Sequence, residues 1–246
     1  MSNRHAFLAN VRAALGHDSA TSCDDPTLFA AAETTPSSSL AGTALLDQLT
    51  AAGAAIQTPV IAVTDATAAA AIIARIAVDS RPEWGDDKQI VCWDHPLISA
   101  VPLETHLPPD EISMHRLDDT ALQPEAQRRL SADAYIGITS ALYCLADTAT
   151  LVLSTAPGQP RAVSLLPSIH IALIHQNQII PDLKSLYRLL DTGIRAGDDP
   201  LGISLTMITG PSKTADIEAT MVHGAHGPRA LHILVLTDRD NELLSV

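Results

Sequence analysis

A short stretch near the carboxyl end of the chain groups residue types that bind anions. It contains a turn glycine, two hydroxyl side chains and one ammonium group: Gly210, Ser212, Lys213 and Thr214. The alternation over residues 203–207 predicts a strand before it, and Ser212 or Thr214 is expected to cap a helix after it. A strand that ends in a turn and opens a helix presents free backbone N–H groups, so this stretch favours an anion site. A well-capped helix with a solvated lysine explains the same residues.

The expected helix ends in a loop of histidines and glycines. Its apolar face carries Ile217, Met221 and Val222. In the loop, His223 and His226 are spaced i, i+3, but no acidic or cysteine partner has the spacing of a known zinc motif, so no metal site is expected. We expect Gly227 to let the backbone approach a ligand, and His226 to line the pocket as a candidate catalytic residue.

An earlier strand pattern, Ala134–Ile138, ends in hydroxyl residues. Thr139 and Ser140 would emerge at the carboxyl end of that strand, where ligands bind in open α/β sheets, so Thr139 is a candidate ligand-binding residue. His170 precedes an apolar run and is either a hydrogen-bonded core residue or an acid or base.

Two further charged residues are candidates for the site. Asp147 follows an expected short apolar helix and precedes a strand. It is either a turn residue or a carboxylate that faces the ligand crevice, and in the second case it is a candidate catalytic residue. Arg161 ends a loop rich in glycine and proline, and its guanidinium either forms a structural salt bridge or binds an anion bidentately. If Arg161 and Lys213 meet at one opening, an anionic ligand is the better interpretation.

Two long blocks occur in the order expected for a known family: GITSALYCLADTATLVLSTAPGQPRAVSLLPSIHIALI at 137–174 and ITGPSKTADIEATMVHGAHGPRALHILVL at 208–236. Through them the chain resembles the LUD domain family and, within it, the lactate utilization protein C family. The family pattern usually has an acid followed by Thr-Gly in the first of these blocks. This chain has Asp147-Thr148-Ala149 and therefore keeps the acid without the glycine.

The resemblance implies both a fold and a role. It implies a NagB/RpiA/CoA transferase-like fold, whose wider membership includes proteins that use a carboxylate as nucleophile or base. It further implies an accessory subunit of an L-lactate-oxidising system, acting beside iron–sulfur partner proteins that convert lactate to pyruvate. A stand-alone enzyme on a small anionic or acyl substrate stays open, with Asp147, Arg161, Lys213 and His226 at its site. So does a phosphate- or nucleotide-binding module, and whether the chain is catalytic by itself is not decided.

Charge and cysteine content argue against several classes of partner and cofactor. A net charge of −13 argues against nucleic-acid and anionic-membrane surfaces, although a few local cations suffice for a small anion. The three cysteines, Cys23, Cys92 and Cys144, form no CxxC. We therefore expect no iron–sulfur cluster or other cofactor bound by this chain alone, and free thiols in a reducing cytoplasm. Neither a signal peptide nor a membrane span is expected.

The elements that must position the candidates form two regions. Residues 1–39 predict an amphipathic helix and a linker arm, with the helix packing on a second copy, on a partner or on its own core. Residues 40–246 alternate helices and strands, which predicts a three-layer α/β/α domain with a mainly parallel sheet. Helices are expected at 40–52, 65–78, 120–130 and 181–191, with a helical turn at 95–101 and strands at 56–63, 90–93, 112–117, 134–138, 150–155, 169–174 and 231–236.

Overall fold

The computed structural model describes residues 42–83, 85–117, 123–196, 204–215, 221–224 and 226–237. All of them belong to the unit of the chain that spans Leu40–Val246. The expected helix and arm at 1–39 lie outside the described residues, and both these elements and their boundary with the domain stay predictions. Ile217 also lies outside the described residues, so its place on the apolar face of a helix stays a prediction.

The described elements alternate along the chain. The strands are β1 (Val60–Val63), β2 (Lys88–Trp93), β3 (Ile112–Leu117), β4 (Ile136–Thr139), β5 (Tyr143–Leu145), β6 (Thr150–Ser154), β7 (Ile169–His175), β8 (Ile179–Ile180), β9 (Leu205–Thr209), β10 (Lys213–Ala215), β11 (Met221–His223) and β12 (Ala230–Leu236). The α-helices are α1 (Gly42–Ala55), α2 (Ala66–Asp79), α3 (Pro96–Ser99), α4 (Pro124–Asp133), α5 (Ala162–Leu165) and α6 (Leu183–Ala196). Among the described residues, no helix is long and apolar enough to cross a membrane.

The main sheet has six strands in the order β1-β12-β7-β4-β2-β3, and every neighbouring pair is parallel. Strands β4 and β7 are buried over their whole length, as expected for parallel strands covered on both faces. Helices α1 and α2 pack against β1, while α4 and α5 pack against β2. The expected α/β architecture with a mainly parallel sheet is confirmed.

Local sequence signals account for several element boundaries. Asp65 begins α2 as expected, because its Oδ1 accepts a hydrogen bond of 2.8 Å from the N–H of Ala68. That bond and one from the Thr64 hydroxyl lower the pKa of Asp65. Strand β1 follows Pro59 and lies at an edge of the main sheet, where the missing N–H of a proline is tolerated.

A second sheet of four strands, in the order β8-β5-β6-β9, lies outside the main sheet. Its two pairs that involve β6 are antiparallel. Helix α6 covers it by packing Leu186 and Leu190 on Leu145, Val152 and Ile180. The short apolar helix expected before Asp147 was wrong, since Tyr143–Leu145 is strand β5. Three residues are too few to show a helical period, so the pairing with β6 and β8 decided their conformation.

The helix expected after Gly210 was also wrong in its described part. Strands β10 and β11 form an antiparallel hairpin in which Thr214 pairs with Val222. The base of this hairpin is tied to the segment before β12, because the N–H of Ser212 donates to the carbonyl of Pro228 at 2.8 Å. Thr and Val favour strands, and long-range hydrogen bonds outweigh a capping signal that a lone Ser or Thr provides.

Candidate functional site

Polar residues follow three neighbouring strands of the main sheet, at the carboxyl end of each. They are His95 after β2, Ser140 after β4 and Gln178 after β7. Because these strands are parallel neighbours, the residues converge on one cleft of about 450 Å³. We call it the carboxyl-edge cleft; its other lining includes Trp93, Tyr143 and Gln159.

A second cleft, of about 680 Å³, lies where β2, β4 and β12 begin. This amino-edge cleft is lined by residues that include Asp87, Asp133, Tyr135, Leu165, His226 and Gly227. It is the larger of the two, but ligands of open α/β sheets bind outside the carboxyl ends of the strands. The carboxyl-edge cleft is therefore the better candidate for a functional site, and its side chains support that choice.

Ser140 is the most informative residue of the carboxyl-edge cleft. It is only 1% exposed, and within the described residues its hydroxyl Oγ has no hydrogen-bond partner. Leaving a buried hydroxyl unpaired costs about 1–3 kcal/mol, and most buried polar groups in folded proteins are paired. A ligand in the cleft that hydrogen-bonds to Ser140 would offset this cost.

His95 presents a hydrogen-bond donor to the same cleft. Its Nδ1 accepts a bond of 3.2 Å from the N–H of Leu97 and so caps helix α3. Because Nδ1 accepts a hydrogen bond, the proton of the neutral ring is on Nε2. Burial lowers the pKa of His95, although the nearby Asp94 carboxylate acts in the opposite direction. The ring is therefore neutral near pH 7, with Nε2–H as a donor.

Thr139 and His170 form a buried pair that joins the neighbouring strands β4 and β7. Thr139 Oγ1 lies 2.8 Å from His170 Nε2, and both residues are at most 1% exposed. Burial lowers the pKa of His170 to about 3, so the ring is neutral and suits the core interpretation better than that of an acid or base. The hydroxyl of Thr139, a predicted ligand-binding residue, already has a partner in the protein.

Hydrogen bonds to backbone carbonyls hold the rim of the carboxyl-edge cleft. The N–H of Asp94 donates to the carbonyl of Gly158, and Gln159 Nε2 donates to the carbonyl of Asp94, both at 3.0 Å. Trp93 Nε1 donates to the carbonyl of Pro160 at 2.9 Å. Gly158 has φ +74°, and a Cβ there would lie 3.0 Å from the carbonyl oxygen of Leu117, so this turn requires glycine. These contacts fix the loop that leads to Arg161.

The two predicted cations occupy different edges of the main sheet. Arg161 is exposed and follows Pro160, whose carbonyl binds Trp93 of the carboxyl-edge cleft. Lys213 lies in β10, where its Nζ donates to the carbonyl of Ile56 at 3.3 Å, before the amino end of β1. The structure does not bring Arg161 and Lys213 to one opening.

The other predicted site residues are also dispersed. Gly210 has φ +75° and lies beside Ile56, while Ser212 and Thr214 belong to the hairpin region. Ser212 Oγ accepts a bond of 3.4 Å from the N–H of His226. His226 and Gly227 line the amino-edge cleft. Their roles in ligand binding or catalysis stay predictions.

Asp147 lies in the exposed turn between β5 and β6 and lines neither cleft. Its Oδ1 accepts a hydrogen bond of 3.1 Å from the hydroxyl of Thr148, and its N–H donates to the carbonyl of Pro181 at 3.2 Å. In the same turn Ala149 has φ +50°, a conformation that glycine adopts without the steric cost an L side chain incurs. A glycine at this position therefore serves the turn, and its replacement by alanine removes no chemical group.

Sequence reasoning missed His95, Tyr143, Gln159 and Gln178. The signal that selected Thr139, a polar residue just beyond a buried strand, also applies to His95 after β2. Nothing local marks Gln159, because its position depends on the carbonyl of Asp94.

The fold and site define an α/β protein with a polar cleft at the carboxyl edge of a parallel sheet. The sequence pattern of the LUD domain matches residues 46–236, and the chain belongs to the LUD domain family. The expected family is thus confirmed.

Relatives named lactate utilization protein C are similar to the chain. That of Halalkalibacterium halodurans is 32% identical over 163 residues, which cover 66% of this chain and 69% of the relative. That of Bacillus pumilus is 28% identical over 244 residues, covering 96% and 97%. A DUF162 family protein from Deinococcus radiodurans has a similar fold, with a TM-score of 0.53 and 20% identity over 80% of this chain and 99% of that one.

Proposed function

We propose that this chain acts in lactate utilization, as an accessory subunit beside iron–sulfur partner proteins. The observation that carries the proposal is the similarity to the lactate utilization protein C of Bacillus pumilus, which extends over 96% of the chain. A match of that extent covers both the parallel sheet and the second sheet rather than one shared motif.

The cysteines support the assignment of iron–sulfur chemistry to partners. Cys92 and Cys144 are free and buried in different sheets. Burial raises the pKa of both thiols to about 12. Among the described residues, no group of three or more His, Cys, Asp or Glu side chains is placed to hold a metal ion, which supports cluster ligation by partner proteins. Cys23 lies outside the described residues. Reduced buried thiols also fit a cytoplasmic location.

We further propose that the subunit binds a small anionic ligand. Arg161 supports this because it is an exposed guanidinium beside the loop that forms the rim of the carboxyl-edge cleft. The alternative, a stand-alone enzyme for a small carboxylate, acyl or phosphate-containing substrate, uses the same cleft and is separated from the accessory role by experiment.

The test combines growth with activity. Deletion of the gene is expected to abolish growth on L-lactate as sole carbon source but not on glucose, and the intact gene to restore it. The purified chain is expected to show no lactate oxidation with an artificial electron acceptor, whereas it co-purifies with iron–sulfur proteins and supports their activity. Normal growth of the deletion strain on lactate would contradict a role in lactate utilization. Lactate oxidation by the isolated chain would show that it is an enzyme rather than an accessory subunit.

A further inference from the structure

The carboxyl-edge cleft contains a hydroxyl group that the protein leaves unpaired. Ser140 Oγ is buried and, within the described residues, meets no hydrogen-bond partner, although Ser140 lines the cleft. By comparison, the buried hydroxyl of Ser131 donates to the carbonyl of Gln127 at 2.8 Å within α4. Four buried side-chain atoms of the described residues lack a partner: Thr58 Oγ1, Ser140 Oγ, His170 Nδ1 and His232 Nδ1. Of these four, Ser140 Oγ alone belongs to a residue that lines the carboxyl-edge cleft, where a ligand would supply the missing partner.

A second donor belongs to His95, another residue that lines this cleft. The Leu97 N–H occupies His95 Nδ1 at 3.2 Å, which leaves Nε2–H directed away from the helix cap. The amide of Asn177 and the phenol of Tyr143 add further donors. Within the part of the chain that the structure describes, no Lys, Arg, Asp or Glu lines this cleft.

We propose that the carboxyl-edge cleft binds a small organic acid whose oxygen atoms accept hydrogen bonds from Ser140 Oγ and His95 Nε2. A set of neutral donors matches the oxygen acceptors of a carboxylate and of a neighbouring hydroxyl or carbonyl group. Arg161 does not line the cleft, but it is exposed and directly follows the rim loop, and its guanidinium is the positive charge that we assign to the carboxylate. Trp93, Pro96 and Leu142 provide an apolar wall for the carbon skeleton.

The size of the cleft agrees with this class of ligand. A volume of about 450 Å³ falls in the range of about 300–1,000 Å³ that is typical of small-molecule sites. The inference rests on the proposed function, because it gives a location and chemistry to the small anionic ligand proposed there. It assigns neither Lys213 nor His226 to that ligand, since both belong to other parts of the molecule.

The first experiment measures binding of L-lactate, pyruvate, inorganic phosphate and acetyl-CoA to the full chain by isothermal titration calorimetry. We expect lactate or pyruvate to bind, and Ser140→Ala to weaken that binding by at least about tenfold, the value of one hydrogen bond in a ligand site. Ser131→Ala removes a buried hydroxyl outside the cleft and is expected to leave the Kd unchanged. The Tm of unliganded Ser140→Ala should equal or exceed that of the wild type, because the variant no longer buries an unpaired hydroxyl.

Two substitutions separate the roles of the two nitrogens of His95. Asn retains an oxygen near the position of Nδ1 and is a good cap, but it lacks the distal donor. Gln places an N–H near the position of Nε2 and loses the cap. We expect His95→Asn to weaken acid binding with an unchanged Tm, and His95→Gln to retain most of the binding with a lowered Tm.

Arg161→Ala and Lys213→Ala complete the test. The inference predicts weaker acid binding for Arg161→Ala and unchanged binding for Lys213→Ala. It is overturned if Ser140→Ala and His95→Asn bind the acid as the wild type does, or if only phosphate binds. If Ser140→Ala and His95→Asn bind the acid normally while Lys213→Ala loses binding, the ligand site lies elsewhere in the molecule and the proposed function is unaffected. Failure of the wild type to bind any of the four compounds would remove both this site and the proposed anionic ligand.

Discussion

Gly137 lies where β4 passes closest to α5. A Cβ at this position would be 1.9 Å from the carbonyl oxygen of Val163 and 3.0 Å from Pro167 Cγ. The first of these atoms belongs to the backbone, so no side-chain rotation relieves the clash. The glycine therefore permits the close approach of helix and strand that positions Thr139 and Ser140 at the end of β4.

Gly137→Ala is expected to destabilise the protein by at least about 3 kcal/mol, the upper part of the range for overpacked cores. Gly227→Ala is the matched control. Its new Cβ would lie 3.5 Å from Ser212 Cβ, an ordinary contact, so its effect should stay within about 0.5 kcal/mol. Urea unfolding of both variants gives the comparison, and equal midpoints would contradict the packing argument.

Helix α6 shows which boundary signals operate at the scale of an element. The sequence predicts a helix with Pro181 at its first position, whereas the helix begins at Leu183 and Asp182 caps it. Asp182 Oδ1 accepts bonds of 2.7 Å from both the N–H and the hydroxyl of Ser185. These bonds lower the pKa of Asp182.

Asp182→Ala is expected to lower the free energy of unfolding by about 1 kcal/mol, because the first-turn N–H of Ser185 loses its acceptor. Asp182→Asn retains an acceptor oxygen, so its free energy of unfolding should fall by only a few tenths of the loss expected for Asp182→Ala. Denaturant unfolding at neutral pH distinguishes them; if both variants lose the same amount, the charge of Asp182 rather than its capping bond stabilises the helix.

At the scale of the whole molecule, a neutral histidine is buried at the centre of the main sheet. His170 pairs with Gly137 of β4 on one side and with Leu231 of β12 on the other. Burial lowers its pKa to about 3, below the ordinary value of 6.5. Between these two pH values the unfolded chain binds a proton at this residue and the folded protein does not, so stability falls as the pH decreases. The contribution of the neutral His170 to the free energy of unfolding is complete above about pH 6.5 and is lost progressively down to about pH 3.

His170→Gln is expected to weaken this pH dependence while keeping an N–H near Thr139. Between pH 7 and pH 5 the wild type should lose about 2 kcal/mol more stability than the variant, the linkage value for one histidine that titrates only when unfolded. His95 and His232, whose pKa values burial also lowers, are present in both proteins and cancel in the difference. Parallel profiles of unfolding free energy against pH would contradict the assignment.

Particular residues show how far sequence reasoning reaches. The apolar runs at 134–138, 169–174 and 231–236 predicted buried strands correctly, because a strand covered on both faces must be apolar whatever its neighbours are. Asp65 was predicted as a cap because the bond it makes is local. The pairing of β10 with β11 was not predicted, because the hydroxyl residues before position 215 also suit helix caps, whereas both segments form a short antiparallel pair that the Ser212–Pro228 bond ties to the chain before β12.

The sequence by itself determined the family, the alternation of helices and strands and the parallel character of the main sheet, because each depends on local pattern or on long shared blocks. Only the tertiary structure decided which polar side chains meet. Strands β2 and β4 are neighbours, so His95 and Ser140 line one cleft, whereas Lys213 binds the carbonyl of Ile56 before the amino end of β1. Strand order results from packing among distant segments, and no local pattern of residues encodes that packing.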